Sequence, residues 1–440
     1  MKIKPARRLN GTCYLPGDKS ISHRAALIAA LANGTSHISN FSTSLDCAAT
    51  LSCLRALGVS VEHQGNRVRV EGRGLRQLQS VATPLDCGNS GTTMRLLAGI
   101  LAAQEFPTIL TGDEFLNARP MKRIIEPLES MGAQIFSLDG HPPLQITGSK
   151  TIRPVSYELA FPSAQVKSCV LLAGLHAEGR TEVFERYGLT RDHTERMLQW
   201  FSAPIEIDID NDKAEARSCA VIGPASFSAR DVRVPGDFSA ASFFIAAAAL
   251  LANSEIEIQG VGLNPTRTQL LDILRALGTE VDIGSKKEDS NEPVGAVRVR
   301  ASNLRENEEK ELGVTISGQL SAALIDELPV LAVVGSQLPH GLIIRDAREL
   351  RFKETDRIAA TAKNLKAMGA AVEEFEDGLR VIGAAHLKGA TLESFGDHRI
   401  AMAFSVAALL ADGESEINGS ECVSVSFPNF FEVLESLVER

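Results

Sequence analysis

Two stretches of this chain, roughly 220 residues apart, carry the same punctuation. Pro16-Gly17-Asp18-Lys19-Ser20 opens an Ala-rich apolar run that ends at Leu31-Ala32-Asn33, and Pro235-Gly236-Asp237-Phe238-Ser239 opens another that ends at Leu251-Ala252-Asn253. Each leads through a short alternating segment into a second helical stretch with one five-letter ending, Leu54-Arg55-Ala56-Leu57-Gly58 and Leu274-Arg275-Ala276-Leu277-Gly278. A duplicated pattern of this length constrains the fold more than any other feature, because each copy must be a supersecondary unit packed on its neighbours.

The period divides further. Polar or Gly-rich openers ahead of apolar helical runs recur at Gly88-Asn89-Ser90-Gly91-Thr92, Pro162-Ser163-Ala164-Gln165, Ile325-Asp326-Glu327 and Gly396-Asp397-His398-Arg399. Short strands follow most of them, at 107–110, 181–184, 342–345 and 414–417. A second helix then ends near a Gly, as at Met131-Gly132 and Met368-Gly369, where the chain often needs a positive φ. Six helix–strand–helix–strand copies, roughly 70–90 residues apart, predict an α/β protein of two similar domains with three repeats each. Runs such as Ala246–Ala249 predict helices packed closely inside each domain.

Composition narrows the class. Of 440 residues, 44% are hydrophobic and 23% charged, which excludes a disordered chain and suits large buried cores. Forty-five basic against 55 acidic residues leave a formal charge of −10, the wrong sign for a general nucleic-acid binder, and one Trp and three Tyr offer little for base stacking. The longest unbroken apolar run, residues 243–252, is too short to span a bilayer, and residues 1–8 lead into no apolar signal core. Seven scattered cysteines without a Cys-x-x-Cys pair argue against a disulfide framework and a zinc site. These features predict a cytoplasmic enzyme with no membrane partner and no nucleic-acid partner, and nothing in the sequence implies a metal or an organic cofactor.

The openers matter chemically because a helix N-terminus has unpaired N–H groups and the positive end of the macrodipole, which favour an anion. Lys19, Ser20, Arg24, Asn89, Gly91, Thr92, Ser163, Gln165, Lys167 and Arg399 lie in or near openers, and Arg119, Arg191, Lys353 and Arg357 add cations. An acidic protein that concentrates cations at equivalent repeat positions is expected to focus a small polyanion. Plainer readings stand beside this one. Asn89–Thr92 fits an ordinary N-cap and lacks the Gly-Lys-Ser/Thr ending of a phosphate loop. Lys353–Arg357 reads as a solvated charge run, and Asp326-Glu327 as first-turn acids.

Taken together, Pro16–Arg24, Gly88–Thr92, Asn117–Met121, Ser163–Ser168, Thr190–Glu195, Asn264–Arg267, Ile325–Pro329, Arg351–Arg357 and Asp397–Met402 closely resemble the 5-enolpyruvylshikimate-3-phosphate synthase family of enolpyruvyl transferases, in family order along nearly the whole chain. The resemblance implies two hinged domains, each of three βαβαββ repeats, with the active site in the interdomain cleft and closure on substrate. Residues 1–16 plus 236–440 would form one domain and 17–235 the other, with crossings near 16–19 and 235–238. It implies transfer of the enolpyruvyl group of phosphoenolpyruvate (PEP) to the 5-hydroxyl of shikimate 3-phosphate, with release of phosphate, by a monomer. Lys19, Ser20, Arg24, Ser163, Ala164, Gln165, Arg191, Asp326 and Lys353 would contact shikimate 3-phosphate. Lys19, Gly91, Arg119, Gln165, Arg357 and Arg399 would hold PEP, with Arg suited to bidentate bonding of either anion. Asp326 would take the hydroxyl proton and Glu354 protonate C3, assisted by Lys19; the alternative in which Glu354 serves both steps stays open. Gly91, lacking a side chain, would leave room for glyphosate beside the PEP site.

Alternative readings are discriminated by single positions. A UDP-N-acetylglucosamine enolpyruvyl transferase usually has a Cys or Asp where Glu114 stands, five residues before Arg119. A non-catalytic anion-binding protein on the same frame would not need both Asp326 and Glu354. One departure concerns the PEP site: some family members carry a Lys before the C-terminal Ser/Thr-Phe-Pro, whereas Val425 precedes Ser426-Phe427-Pro428 here.

Overall fold

A computed structural model describes residues 1–186, 188–209, 217–301 and 314–440. Its Cα packing divides the chain into two compact units, one made of residues 1–16, 236–287 and 293–440 and the other of 17–235 with 288–292. The reading from sequence assigns 288–292 to the former. Side-chain chemistry holds it to the latter: His193 Nδ1 lies 2.7 Å from Glu292 Oε1, Asn291 Nδ2 donates to the Arg196 carbonyl at 2.9 Å, and the Arg233 amide donates to Ser290 Oγ at 2.9 Å.

One sheet pattern recurs in both units. In the 17–235 unit, Val232–Arg233, Asn33–Ser39, Arg67–Arg73 and Ser60–Gln64 form a sheet in that order, as do Leu85–Asp86, Thr108–Thr111, His141–Ile146 and Ile135–Leu138. A third runs Ser156–Glu158, Gly179–Glu185, Arg217–Gly223, Ile205–Ile209. In each the first pair is parallel and the other two are antiparallel, the signature of a strand–helix–strand crossover followed by a helix and a hairpin. The other unit repeats the order in Val314–Ile316, Leu342–Ile344, Gly378–Val381, Val372–Phe375 and in Arg8–Tyr14, Glu255–Gly262, Glu292–Arg300, Glu280–Ile283. Thr391–Glu393, Ser415–Asn418 and Lys2–Ile3 give the sixth sheet, three strands long.

The leading strands are exchanged where the chain changes units. Arg8–Tyr14 precedes the Lys19–Leu31 helix but pairs with Glu255–Gly262, and Val232–Arg233 precedes the Phe238–Leu250 helix but pairs with Asn33–Ser39. This exchange is the structural meaning of the two Pro-Gly-Asp copies.

The opener helices form the core of each unit. Lys19–Leu31, Gly91–Leu101 and Ala164–Gly174 are buried on nearly every face in one, as are Phe238–Leu250, Leu328–Gln337 and His398–Leu410 in the other. A helix that is apolar all round is stable only inside a protein, and small residues let such helices approach closely. Gly99 shows the tolerance: a Cβ there would lie 2.3 Å from the Cys169 carbonyl oxygen.

Candidate active site

Five of the six openers have a side-chain cap, the exception being Glu327 ahead of Leu328–Gln337. Asp18 Oδ1 accepts from the Ile21 amide at 2.9 Å, Ser90 Oγ from Thr93 at 3.1 Å, Ser163 Oγ from Val166 at 3.4 Å, and Asp397 Oδ1 from Arg399 at 2.8 Å. The plain N-cap reading of 89–92 is therefore realised at Ser90, and the helix start it fixes is what places Gly91, Thr92 and Arg95.

In the 17–235 unit the predicted residues fall into two connected groups. Gln165 Oε1 accepts from Arg95 Nη1 at 2.5 Å, its Nε2 donates to Thr92 Oγ1 at 2.9 Å, and Arg119 Nη2 donates to Asn89 Oδ1 at 2.5 Å. A Cβ on Gly91 would lie 3.0 Å from Arg95 Nη1 and 3.3 Å from Arg119 Nη1, so Gly91 borders both guanidinium groups. In the second group Lys19 Nζ is 2.8 Å from Asp46 Oδ2. Arg24 is turned inward, 3% exposed, with Nε to Thr194 Oγ1 at 2.7 Å, Nη1 to the Ser20 carbonyl at 3.0 Å and Nη2 to Ser168 Oγ at 2.8 Å. Burial pulls the Arg24 guanidinium down to about 10, against the opposing charges of Glu195 and Asp18. Ser20, Ala164, Gln165 and Arg191 are half-buried.

The other unit holds a denser cluster. Arg357 begins the Arg357–Ala367 helix, capped by Asp356, and is 1% exposed. Its guanidinium donates to Asp397 Oδ2 at 2.7 Å, Glu354 Oε2 at 2.5 Å and Asp326 Oδ1 at 3.3 Å. Burial pulls its pKa down, but Asp397, Glu354 and Asp326 outweigh that and hold it above the usual arginine range. Arg399 approaches the same Asp326 from another side, Nε to Oδ1 at 3.4 Å and Nη1 to the main-chain carbonyl at 3.2 Å. Lys353 pairs with Glu349 at 3.2 Å.

The cations are not an uncompensated positive surface: Lys19, Arg357, Arg399 and Lys353 each have a carboxylate partner within their own unit, so an incoming anion displaces or joins an existing ion pair. The Lys353–Arg357 stretch is likewise not a solvated run, because its last residue is among the most buried cations of the protein. Sequence reasoning also left Asp46, Arg95 and Asp397 out of the site. Arg95 carried a usable signal, four residues after Gly91 and hence on the same helical face; Asp46 carried none, since it lies 27 residues from the Lys19 it meets. Val425 ends the short Ser420–Val425 helical turn and supplies no cation. Among the described residues, no three His, Cys, Asp or Glu side chains are placed to hold a metal, and no helix is long and apolar enough to cross a membrane.

Comparison with known proteins gives one consistent result. The family profile for EPSP synthase (3-phosphoshikimate 1-carboxyvinyltransferase) matches residues 3–434. The 3-phosphoshikimate 1-carboxyvinyltransferases of Koribacter versatilis and Geotalea uraniireducens are 49% and 48% identical to this chain, over 100% and 99% of it and 99% and 98% of their own lengths. An EPSP synthase structure from Acinetobacter baumannii superposes with a TM-score of 0.84 at 37% identity, covering 99% of this chain and 98% of that one. The enolpyruvyl transferase NikO from Streptomyces tendae shares the fold, with a TM-score of 0.77 at 20% identity over 99% of this chain and 96% of its own.

Proposed function

Because this chain belongs to the EPSP synthase (3-phosphoshikimate 1-carboxyvinyltransferase) family, we infer that it transfers the enolpyruvyl group of PEP to the 5-hydroxyl of shikimate 3-phosphate and releases inorganic phosphate. The observation that best supports the residue assignment is Arg357, a buried guanidinium shared by Asp326, Glu354 and Asp397. Two proton-transfer groups and an anion-binding group in one network are what addition across the PEP double bond requires.

Asp326 takes the 5-hydroxyl proton as the oxygen attacks C2 of PEP, and Glu354 gives a proton to C3, assisted by Lys19. Glu354 then takes a proton back from C3 as the C2–O bond to phosphate breaks, and Asp326 passes its proton to the departing phosphate, which restores the double bond and both carboxyl groups. A bonded cation favours the charged carboxylate. The acid role of Glu354 therefore requires PEP's anionic groups to take over Arg357 and Arg399, which releases Glu354 and Asp326 from their present partners. Lys19, Gly91, Arg119 and Gln165 complete the proposed PEP contacts, and Lys19, Ser20, Arg24, Ser163, Ala164, Gln165, Arg191, Asp326 and Lys353 those to shikimate 3-phosphate. The enzyme is proposed to work as a cytoplasmic monomer, a reading that suits its seven free cysteines, six of them buried. Sedimentation and cell fractionation test that reading.

The direct experiment is phosphate release by purified protein with shikimate 3-phosphate and PEP, each omitted in turn. Release that needs both supports the assignment. No release, with shikimate 3-phosphate still bound, would refute turnover by this site.

A further inference from the structure

The segment Thr190-Arg191-Asp192-His193-Thr194-Glu195 is built unusually for a surface connection. Five of its six side chains are buried: Thr190, Asp192, His193, Thr194 and Glu195 are each at most 8% exposed, while Arg191 is left half-buried. Each buried one meets a named partner. The Thr190 amide and hydroxyl both donate to Glu185 Oε1, at 2.8 and 2.6 Å. Asp192 Oδ2 accepts from Arg196 Nε at 3.0 Å, and His193 Nδ1 lies 2.7 Å from Glu292 Oε1. Thr194 Oγ1 accepts from Arg24 Nε at 2.7 Å and shares a 2.6 Å contact with Ser168 Oγ.

Lys167 joins the two ends of this segment. Its Nζ lies 2.9 Å from Glu185 Oε2, which holds Thr190, and 2.8 Å from Glu195 Oε1, and all three charged side chains are 0% exposed. The two carboxylates outweigh the burial of Lys167 and hold its ammonium charged well above the usual lysine range. Removing one partner of such a buried set is strongly destabilising, yet well-packed apolar residues would often serve stability as well. Stability alone therefore does not account for this buried ion set, whereas a positional role does.

We propose that Lys167, Glu185 and Thr190 are positioning residues that fix the backbone on both sides of Arg191 and so aim its guanidinium at the phosphate ester of shikimate 3-phosphate. This rests on the reading above that Arg191 contacts that substrate. The ion set clamps the chain before Arg191 through Thr190 and after it through Glu195. The Thr194–Ser168–Arg24 bonds tie the same segment to the two opener helices that bear Lys19, Ser20 and Ala164–Gln165.

The test is a double-mutant cycle in the full-length enzyme, with Thr190→Val, Arg191→Gln and the pair, supported by Glu185→Gln. Thr190→Val deletes one hydroxyl-to-carboxylate bond with little change of volume, so the variant stays measurable if Lys167→Met fails to fold. Thr190→Val should raise the KM and calorimetric Kd for shikimate 3-phosphate roughly tenfold. The KM for PEP should stay within about twofold, and the same substitution should add nothing in the Arg191→Gln background. An unchanged shikimate 3-phosphate KM, an equal rise for both substrates, or a full Thr190→Val effect persisting without Arg191 would overturn the positioning role. If Arg191→Gln itself leaves shikimate 3-phosphate affinity intact, the substrate reading of Arg191 fails and the proposal falls with it.

Discussion

Glu354 and Gly91 show how single atoms divide the labour of the proposed chemistry. Glu354 Oε2 is bonded to Arg357, so Glu354→Gln keeps the shape and part of the hydrogen bonding while removing the proton donor and the charge. Loss of one preorganised group of this kind typically raises a barrier by about 3–4 kcal/mol. Turnover should therefore fall by two to three orders of magnitude (~3–4 kcal/mol) with substrate affinity nearly kept, and steady-state and binding measurements showing equal losses of both would remove Glu354 from the reaction. At Gly91 a methyl group would press on the ends of Arg95 and Arg119. We therefore expect glyphosate to compete with PEP in the wild-type enzyme and to inhibit Gly91→Ala far less; little inhibition of wild type at millimolar concentration would contradict that. At this scale the sequence offered candidate cations but not how they are neutralised. Lys19 and Arg399 are visible as opener cations and Arg357 as a further cation, whereas Asp46 reaches Lys19 and Asp397 reaches Arg357 only through tertiary packing across 27 and 40 residues.

The opener helix is the element on which the proposed site depends, because its N-terminal end would present the binding groups while its body carries the core. The Gly91–Leu101 and Ala164–Gly174 helices present Arg95 and Gln165 to each other at one end and meet at Gly99 and Cys169 further along. Gly99→Ala would place a methyl 2.3 Å from a backbone oxygen that cannot swing aside. Overpacking of this kind costs about 1–3 kcal/mol. The variant should melt at a lower temperature and show a raised KM for PEP, since the pair must separate along its length. Unchanged melting would mean that the two helices already have slack. Element order was legible because Ala-rich runs, Gly stops and short alternating strands follow their local physics: strands expected at 107–110 and 342–345 form at Thr108–Thr111 and Leu342–Ile344. The exchange of leading strands was expected only through the family resemblance, which places residues 1–16 with 236–440, because Arg8–Tyr14 and Val232–Arg233 themselves carry no mark of which partner lies more than 190 residues away.

At the scale of the whole molecule, each unit has its own apolar core, so stability is set within units and can be probed there. His176, just beyond the Ala164–Gly174 helix, is 1% exposed, and neither ring nitrogen has a hydrogen-bond partner. Burial, with a smaller contribution from the Arg76 charge, pushes it down from 6.5 to about 3; buried His23 is lowered in the same direction. The unfolded chain takes up a proton near pH 6.5 that the folded chain refuses until about pH 3. Stability from this group is thus fully present above pH 6.5 and is lost as the pH falls towards 3, at about 1.4 kcal/mol per pH unit. Replacing the ring by an apolar side chain of similar size removes that dependence without removing a hydrogen bond. His176→Leu should therefore lose less thermal stability than wild type between roughly pH 7.5 and pH 5, the difference amounting to about 2 kcal/mol. Because every other titrating group is common to both proteins, the difference between the two melting profiles isolates His176. Parallel profiles across that range would mean that the imidazole is protonated in the folded state, and that the 17–235 unit opens at this helix end far more readily than its packing suggests.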